Sequence, residues 1–341
     1  MARRKTRPAR RTPSNTGTLT FPAGPVPIST GTAEVIRDPD HPDRVTLHVN
    51  GVPSSSLDLG DPGFLDFEYM QQMAAVLDLL PAGPLRVLHL GAAGSALARY
   101  VEHERPGSRQ LGVDLDARLI ELVREWFALP RSPLLRLRAD DAGRALASVH
   151  PESFDVVIRD VFAGDATPGH LVGTRFAQAA RRALRPGGVL LLNCADRPPL
   201  ALARQELASL AEVFGPSAAA SGRLAAIAEP AILKGRRYGN VVLAAVRDAT
   251  SGHTDLRDAA LGRALRTLAV PATLLAGEDA TRFAGTTAPM VTAPDPIAPE
   301  TTAGAASRAV PADEAPVSGP EHEEGRTPRH GMRPSSASET T

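Results

Sequence analysis

From about residue 85 onward, short apolar runs alternate with helical patterns, and this alternation restricts the chain to few folds. "RVLHL", "RQLGV", "LLRLR", "DVVIR" and "VLLLN" read as strands. They are short and almost continuously apolar, as expected for a sheet covered on both faces. Between them, "ARLIELVREWFAL" and "TRFAQAARRAL" carry apolar residues at helical spacing. The second runs into "RPGG", with glycine where a helix stops. "RLAAIAEP" and "NVVLAAV" supply two last strands, making seven in all. Strands alternating with helices predict an α/β fold with a mostly parallel sheet.

The flanks read differently. "AEVIRD" and "RVTLHVNGV" are rich in Val, Ile and Thr, are separated by "PDHPD", and lead into an Asn50-Gly51 turn. They predict a small antiparallel β-module over residues 29–62. Met70, Met73, Ala74, Leu77 and Leu80 recur at helical spacing and open a catalytic domain over 63–250. "LRDAALGRALRTLAV" predicts a helical cap over 251–294. Residues 1–28 are Arg-, Pro-, Ser- and Thr-rich, and 295–341 are poor in large apolar side chains. Such segments cannot bury enough surface to offset their chain entropy, so both are expected to be disordered tails.

Composition narrows the function classes. With 43% hydrophobic residues among 341, a sizeable core is available. Net charge is zero and aromatic content is 4%, so neither a basic field nor a base-stacking platform points to nucleic acid. No apolar run approaches the roughly 18–20 residues of a membrane span. The basic N-terminus has no apolar segment after it and is not a secretory signal. Cys194, the one cysteine, lies inside "VLLLNCA" and reads as a core residue in a reducing compartment. A cytoplasmic location, no membrane partner and no metal site are therefore expected; the scattered histidines lack zinc-ligand spacing. His89, Trp126 and Phe127 read as core, and the Ser95 loop lacks a nucleophile-elbow pattern.

The chemistry-bearing residues cluster at strand ends. "VLHLGAAGSALARY" places Gly91, Ala92 and Gly94 after a strand and before a helix, where small residues allow close approach of a ligand. Asp114, in "GVDLD", follows at the distance from which a carboxylate can accept both hydroxyls of a ribose. "RADDAG" brings Asp140 and Asp141 to the same edge, and "DVVIRD" brings Asp160. Singly, each acid could be a turn residue or helix cap. Together, four strands delivering polar groups to one carboxyl edge predict nucleoside binding. The loop lacks the lysine of a phosphate-binding loop and the full three-glycine dinucleotide fingerprint, so S-adenosylmethionine or a relative suits it better.

These blocks, with "TPGHLVGTRFAQAARRALRPGGVLLLN" and "RRYGNVVLAA", resemble in order those of the spermidine/spermine synthases, the polyamine aminopropyltransferases. The resemblance is to the divergent bacterial spermidine-synthase-like group and covers about residues 30–290. "VTLHVNGVPSS" and "DFEYMQQM" are similar to that family's β-module and first helix. The resemblance implies the class I S-adenosylmethionine-dependent methyltransferase fold, which is Rossmann-like. It implies decarboxylated S-adenosylmethionine, or S-adenosylmethionine, as co-substrate and a small putrescine-like amine as acceptor. Gly91, Ala92 and Gly94 would line the cofactor loop, Asp114 would hold the ribose, and Asp141 with Ala142 would read the adenine. Asp160 would be the catalytic base, and Tyr69 would face the amine. Asp165 and His170, in the loop after Asp160, are candidate substrate contacts, each equally open to a loop or capping role. Motion of that loop would gate the site. The resemblance also implies a tendency to dimerise near the β-module.

Departures from the family pattern fall in the diamine pocket. Ala163 stands where a second aspartate is usual, Ser54 where a glutamine is usual, and Leu233 where a late-loop tyrosine is usual, with Tyr238 nearby. A dicationic acceptor wants a carboxylate at each end, because an unpaired buried charge is costly. Two alternatives therefore stand beside aminopropyl transfer. One is a methyltransferase or other alkyltransferase acting on a non-diamine substrate; the other is a nucleoside-binding homologue without turnover.

Overall fold

A computed structural model describes residues 20–164, 166–250 and 254–291. The first unit is a four-stranded antiparallel sheet of β1 (Val26–Ile28), β2 (Gly31–Arg37), β3 (Arg44–Val49) and β4 (Val52–Asp58), paired in chain order. Asn50 and Gly51 both have positive φ, 53° and 77°, which turns β3 into β4 with the twist a hairpin needs. This sheet begins at Val26 rather than at residue 29. Val26 pairs with Ala33 and Ile28 with Gly31, and Ile28 is buried at 9% exposure, so the end of the presumed tail is a strand.

Next come α1 (Glu68–Leu77), β5 (Arg86–Leu90), α2 (Ala96–Glu104), β6 (Arg109–Asp114), α3 (Ala117–Trp126), β7 (Leu135–Ala139), α4 (Ala142–Ser148) and β8 (Phe154–Arg159). A loop and a 3₁₀ turn, Gly169–Leu171, lead to α5 (Gly173–Ala183), β9 (Leu184–Asp196), α6 (Ala201–Phe214), β10 (Leu224–Ala228), α7 (Pro230–Leu233) and β11 (Gly239–Val246). α8 (Ala259–Arg266), β12 (Thr273–Ala276) and α9 (Glu278–Ala284) follow. The helix α5 stops before the glycines: Leu184 is already extended, and Arg185-Pro186-Gly187-Gly188 begins β9. The residue before a proline avoids the helical region, which ends the helix early.

The main sheet has the order β12-β10-β11-β9-β8-β5-β6-β7, eight strands rather than seven. β9, β8, β5, β6 and β7 run parallel; β11, β10 and β12 join antiparallel. The eighth strand comes from the segment read as a helical cap. β12 pairs along β10, from Ala225 opposite Ala276 to Ala228 opposite Thr273, and so covers a β10 edge whose N–H and C=O groups would otherwise be unpaired. The cap's helical run is α8, with Leu261 and Leu265 buried.

Strand side chains alternate between two cores. Val87, Val156, Ile158, Val189 and Leu191 pack on the face carrying α1, α3, α8 and the antiparallel sheet. Leu88, Leu90, Val157, Leu190 and Leu192 pack on the face carrying α4, α5 and α6. This two-sided burial is why the strands read as unbroken apolar runs. From β5 the chain steps outward through β6 and β7, then returns to β8 on the other side of β5. The reversal falls between the carboxyl ends of β5 and β8, the position at which ligands bind in open sheets of this kind.

Candidate active site

Gly91 and Asp160 meet at that reversal. Gly91 has φ +85°, and a Cβ there would lie 2.0 Å from the Asp160 carbonyl oxygen. The Asp160 N–H donates to the Leu90 carbonyl at 2.8 Å, extending the β5–β8 ladder by one residue. Only glycine allows this approach, since a side chain would meet fixed backbone at a disfavoured φ. The next residues of the loop spend their N–H groups within the protein. Gly91 and Ala92 donate to the Val113 carbonyl at 2.9 and 3.1 Å, Ala93 to Asp114 Oδ2 at 2.9 Å, and Gly94 to Ser55 Oγ at 3.1 Å. Ser55, on β4, is buried, so the antiparallel sheet braces the glycine loop directly.

Asp160 is held from two sides. The Tyr69 hydroxyl, from α1, donates to Oδ2 at 2.8 Å, and Asn193 Nδ2, from β9, donates to Oδ1 at 2.9 Å. Tyr69 and Asn193 are buried at 7% and 1% exposure, whereas Asp160 keeps part of its surface open. Burial pushes the Asp160 carboxyl above the usual carboxylate range; the bonds from Asn193 and Tyr69 and the Arg159 charge pull the other way without cancelling it. Burial, then the Asp160 charge, hold the Tyr69 phenol well above its ordinary value, so it stays a neutral O–H donor. A carboxylate has about four lone-pair positions. Two are taken here, and the rest can meet a cation.

The other strand-end acids hold defined positions. Asp114 accepts from Ala93 N at 2.9 Å and Asp116 N at 3.0 Å, and burial raises its carboxyl despite those bonds. Leu115, next to it, is 66% exposed, an uncovered apolar surface beside a carboxylate. Asp141 caps α4, accepting from Arg144 N at 2.9 Å, and Ala142 is the first residue of that helix, where an N–H has no intrahelical acceptor. Asp140 is paired with Arg138 and Arg144. The structure sets His170 against Asp141, with Nε2 2.9 Å from Oδ2, so the returning end of the loop after Asp160 meets the cap of α4. Asp165 lies outside the described residues.

The positions that depart from the family pattern hold no second acid. Ala163 is exposed and forms a bridge with Ala166. Ser54 Oγ donates to its own strand's Val52 carbonyl at 3.0 Å, and Leu233 packs partly into the core around α6. Tyr238 is 49% exposed just before β11. His89 is a core residue bonded to Gln110 Oε1 at 2.8 Å, and burial lowers it to about 4.

Sequence reasoning missed three residues. Asn193 sat unremarked at the end of "VLLLN". Arg159 and Glu206 form a buried bidentate pair, at 2.5 and 2.8 Å, directly behind Asp160. The available signal was an arginine closing an apolar strand immediately before the candidate base. Among the described residues, no group of three or more His, Cys, Asp or Glu side chains could hold a metal ion, and no helix is long and apolar enough to cross a membrane.

No family model matches the chain. The crystal structure of a probable spermidine synthase from Corynebacterium glutamicum is 35% identical, covers 82% of this chain and 99% of that chain, and superposes with a TM-score of 0.73. The polyamine aminopropyltransferase of Chromobacterium violaceum is 29% identical over 139 residues, 41% of this chain and 53% of that protein. The eEF1A lysine and N-terminal methyltransferase of Mus musculus is 29% identical over 152 residues, 40% of this chain but 22% of that protein. The chain thus spans about half the length of the curated aminopropyltransferases it matches first.

Proposed function

The chain belongs to the spermidine synthase family as a divergent, spermidine-synthase-like member, and from that premise we propose that it transfers an aminopropyl group from decarboxylated S-adenosylmethionine to a primary amine. The bound co-substrate would supply a sulfonium-activated carbon and a thioether leaving group. Asp114 would accept the ribose hydroxyls, with the open surface of Leu115 beside it for the purine. Asp141 and the Ala142 N–H would take the adenine edge. The apolar face next to Asp114 is the feature on which this fit rests.

Asp160 carries the chemistry in this reading. An amine is an ammonium ion at neutral pH and cannot attack carbon until it loses a proton. The free lone pairs of Asp160 would bind the ammonium, take that proton and hold the nitrogen in line. A carboxyl raised by burial is the stronger base for this task. Tyr69 and Asn193 fix its plane, so no reorganisation is needed at the moment of attack. The observation that supports the reading most is this doubly held, partly open carboxylate at the sheet's reversal point.

A second reading, methyl or other alkyl transfer from S-adenosylmethionine itself, draws on Ala163, which leaves the usual diamine pocket short of an acid. Calorimetric titration with both nucleosides, followed by product detection with putrescine, separates the two. Tighter binding of the decarboxylated form and an aminopropylated product support the first reading. Binding of the intact form alone, with methylated product, replaces it with the second.

A further inference from the structure

Among the described residues, the largest side chain with no exposure is a charged one, Arg159, at the end of β8. Successive strand residues face opposite ways, so Asp160 turns toward α1 and Arg159 toward α5 and α6. The Arg159 guanidinium is shared among four elements. Nη1 donates to Glu206 Oε2 at 2.5 Å and to the Leu171 carbonyl at 2.9 Å. Nη2 donates to Glu206 Oε1 at 2.8 Å and to the Asn193 carbonyl at 3.0 Å. The ring of Phe176 lies 5.6 Å from its Cζ. Burial works against the Arg159 charge, but the Glu206 carboxylate more than offsets this and raises the guanidinium's affinity for its proton.

The two carbonyls give this pair its meaning. Asn193 carries the amide that bonds Asp160. Leu171 closes the loop that begins at Asp160, and its neighbour His170 bonds Asp141. We propose that Arg159, locked by Glu206, is a positioning residue that registers the Asn193 amide and the returning end of the 161–171 loop against Asp160. The proposal rests on the reading of Asp160 as base. A core alone does not call for such a pair, since apolar residues of similar volume often serve as well or better. The guanidinium fork adds a fixed plane in which one carboxylate and two carbonyls from separate elements are held together. An ammonium, being a point charge, cannot reproduce that plane.

Two variants separate positioning from packing. Arg159→Lys keeps the charge and loses the fork. Arg159→Met combined with Glu206→Leu removes both charges without stranding either one, and carries the test if the lysine variant does not fold. The groups acting on Asp160 are Tyr69 on α1, Asn193 on β9 and, from the opposite face of its own strand, the Arg159 charge; Glu68 acts on Tyr69, and Glu206 and Cys194 lie around Arg159. A displaced Asn193 amide stabilises the ionised carboxylate less, so Asp160 protonates at higher pH.

For either variant, folded by circular dichroism, kcat falls at least about tenfold and the acid limb of kcat/KM moves up about one pH unit. Asn193→Ala shows the same shift, and adding it to Arg159→Lys moves the limb no further. A folded variant with wild-type kcat and an unmoved acid limb overturns the proposal and leaves an ordinary core ion pair. If the wild-type protein transfers no aminopropyl group, the proposed function fails separately. A ¹³C-carboxyl NMR titration of Asp160 then decides the positioning role without turnover: a higher midpoint in the variants supports it, and an unchanged midpoint overturns it.

Discussion

Tyr69→Phe removes one oxygen and leaves the α1 ring that lies against Phe67. The lost contact is a 2.8 Å O–H bond to the Asp160 carboxylate. Hydrogen bonds to charged groups contribute about 1.5–3 kcal/mol. At about 1.36 kcal/mol per pH unit, the variant's Asp160 should bind its proton about 1–2 units higher than in the wild type. The direction adds to a carboxyl already raised by burial. Because the ionised form is the proposed base, the acid limb of kcat/KM slides upward by the same amount. Activity recovers on the alkaline side, where Asp160 is ionised in both proteins. The assay is release of the thioether nucleoside, followed from about pH 5 to about pH 9. Stability supplies a second readout. A carboxyl raised on folding contributes stability that is present below its unfolded value and lost as pH rises through the folded one. Loss of the Tyr69 hydroxyl deepens that loss, so the gap in Tm between variant and wild type widens from acid to neutral pH. An acid limb that stays in place in a folded variant refutes the reasoning.

Three further outcomes are expected. Asp160→Asn should lower transfer by about 10²–10⁴-fold, the usual contribution of a general base, with nucleoside affinity by equilibrium dialysis unchanged. Gly91→Ala should destabilise the protein by about 2–4 kcal/mol in urea unfolding, combining a left-handed φ with a Cβ aimed at the Asp160 carbonyl. Ala163→Asp should raise the kcat/KM ratio of diamine over monoamine by about tenfold, equivalent to about 1.4 kcal/mol of selective binding.

The parallel core was legible because its signals are local. Short apolar runs, helical spacing and acids at strand ends sit within a few residues of one another, and β5 to β9 lie where those runs fall. The short strands at either extreme were not. β1 and β12, with 3 and 4 residues, exist because a neighbouring edge accepts them, and neither carries enough pattern to announce itself. The same limit applied at the site. Asp160, Asp114 and Tyr69 stand in recognisable blocks, but Asn193 ends a plain apolar strand. Arg159 and Glu206 are 47 positions apart, and nothing local to either one points to the other. His170 likewise reads as a loop residue until the fold carries it 29 positions back to Asp141. Contacts that join distant segments across a sheet leave no mark on either segment's periodicity.

The same geometry bears on the charge of the acceptor. Asp160 can neutralise one ammonium, and its described partners, Tyr69 and Asn193, are both neutral. A second ammonium taken out of water without an acid of its own costs several kcal/mol. Ala163 provides no such acid. A single carboxylate with neutral partners suits an amine whose far end is uncharged or remains in solvent. A short diamine with both charges drawn inside fits that arrangement less well. In the proposed reading, alanine at position 163 would therefore act on which amine is accepted, while Asp160, the proposed base, keeps its bonds from α1 and β9.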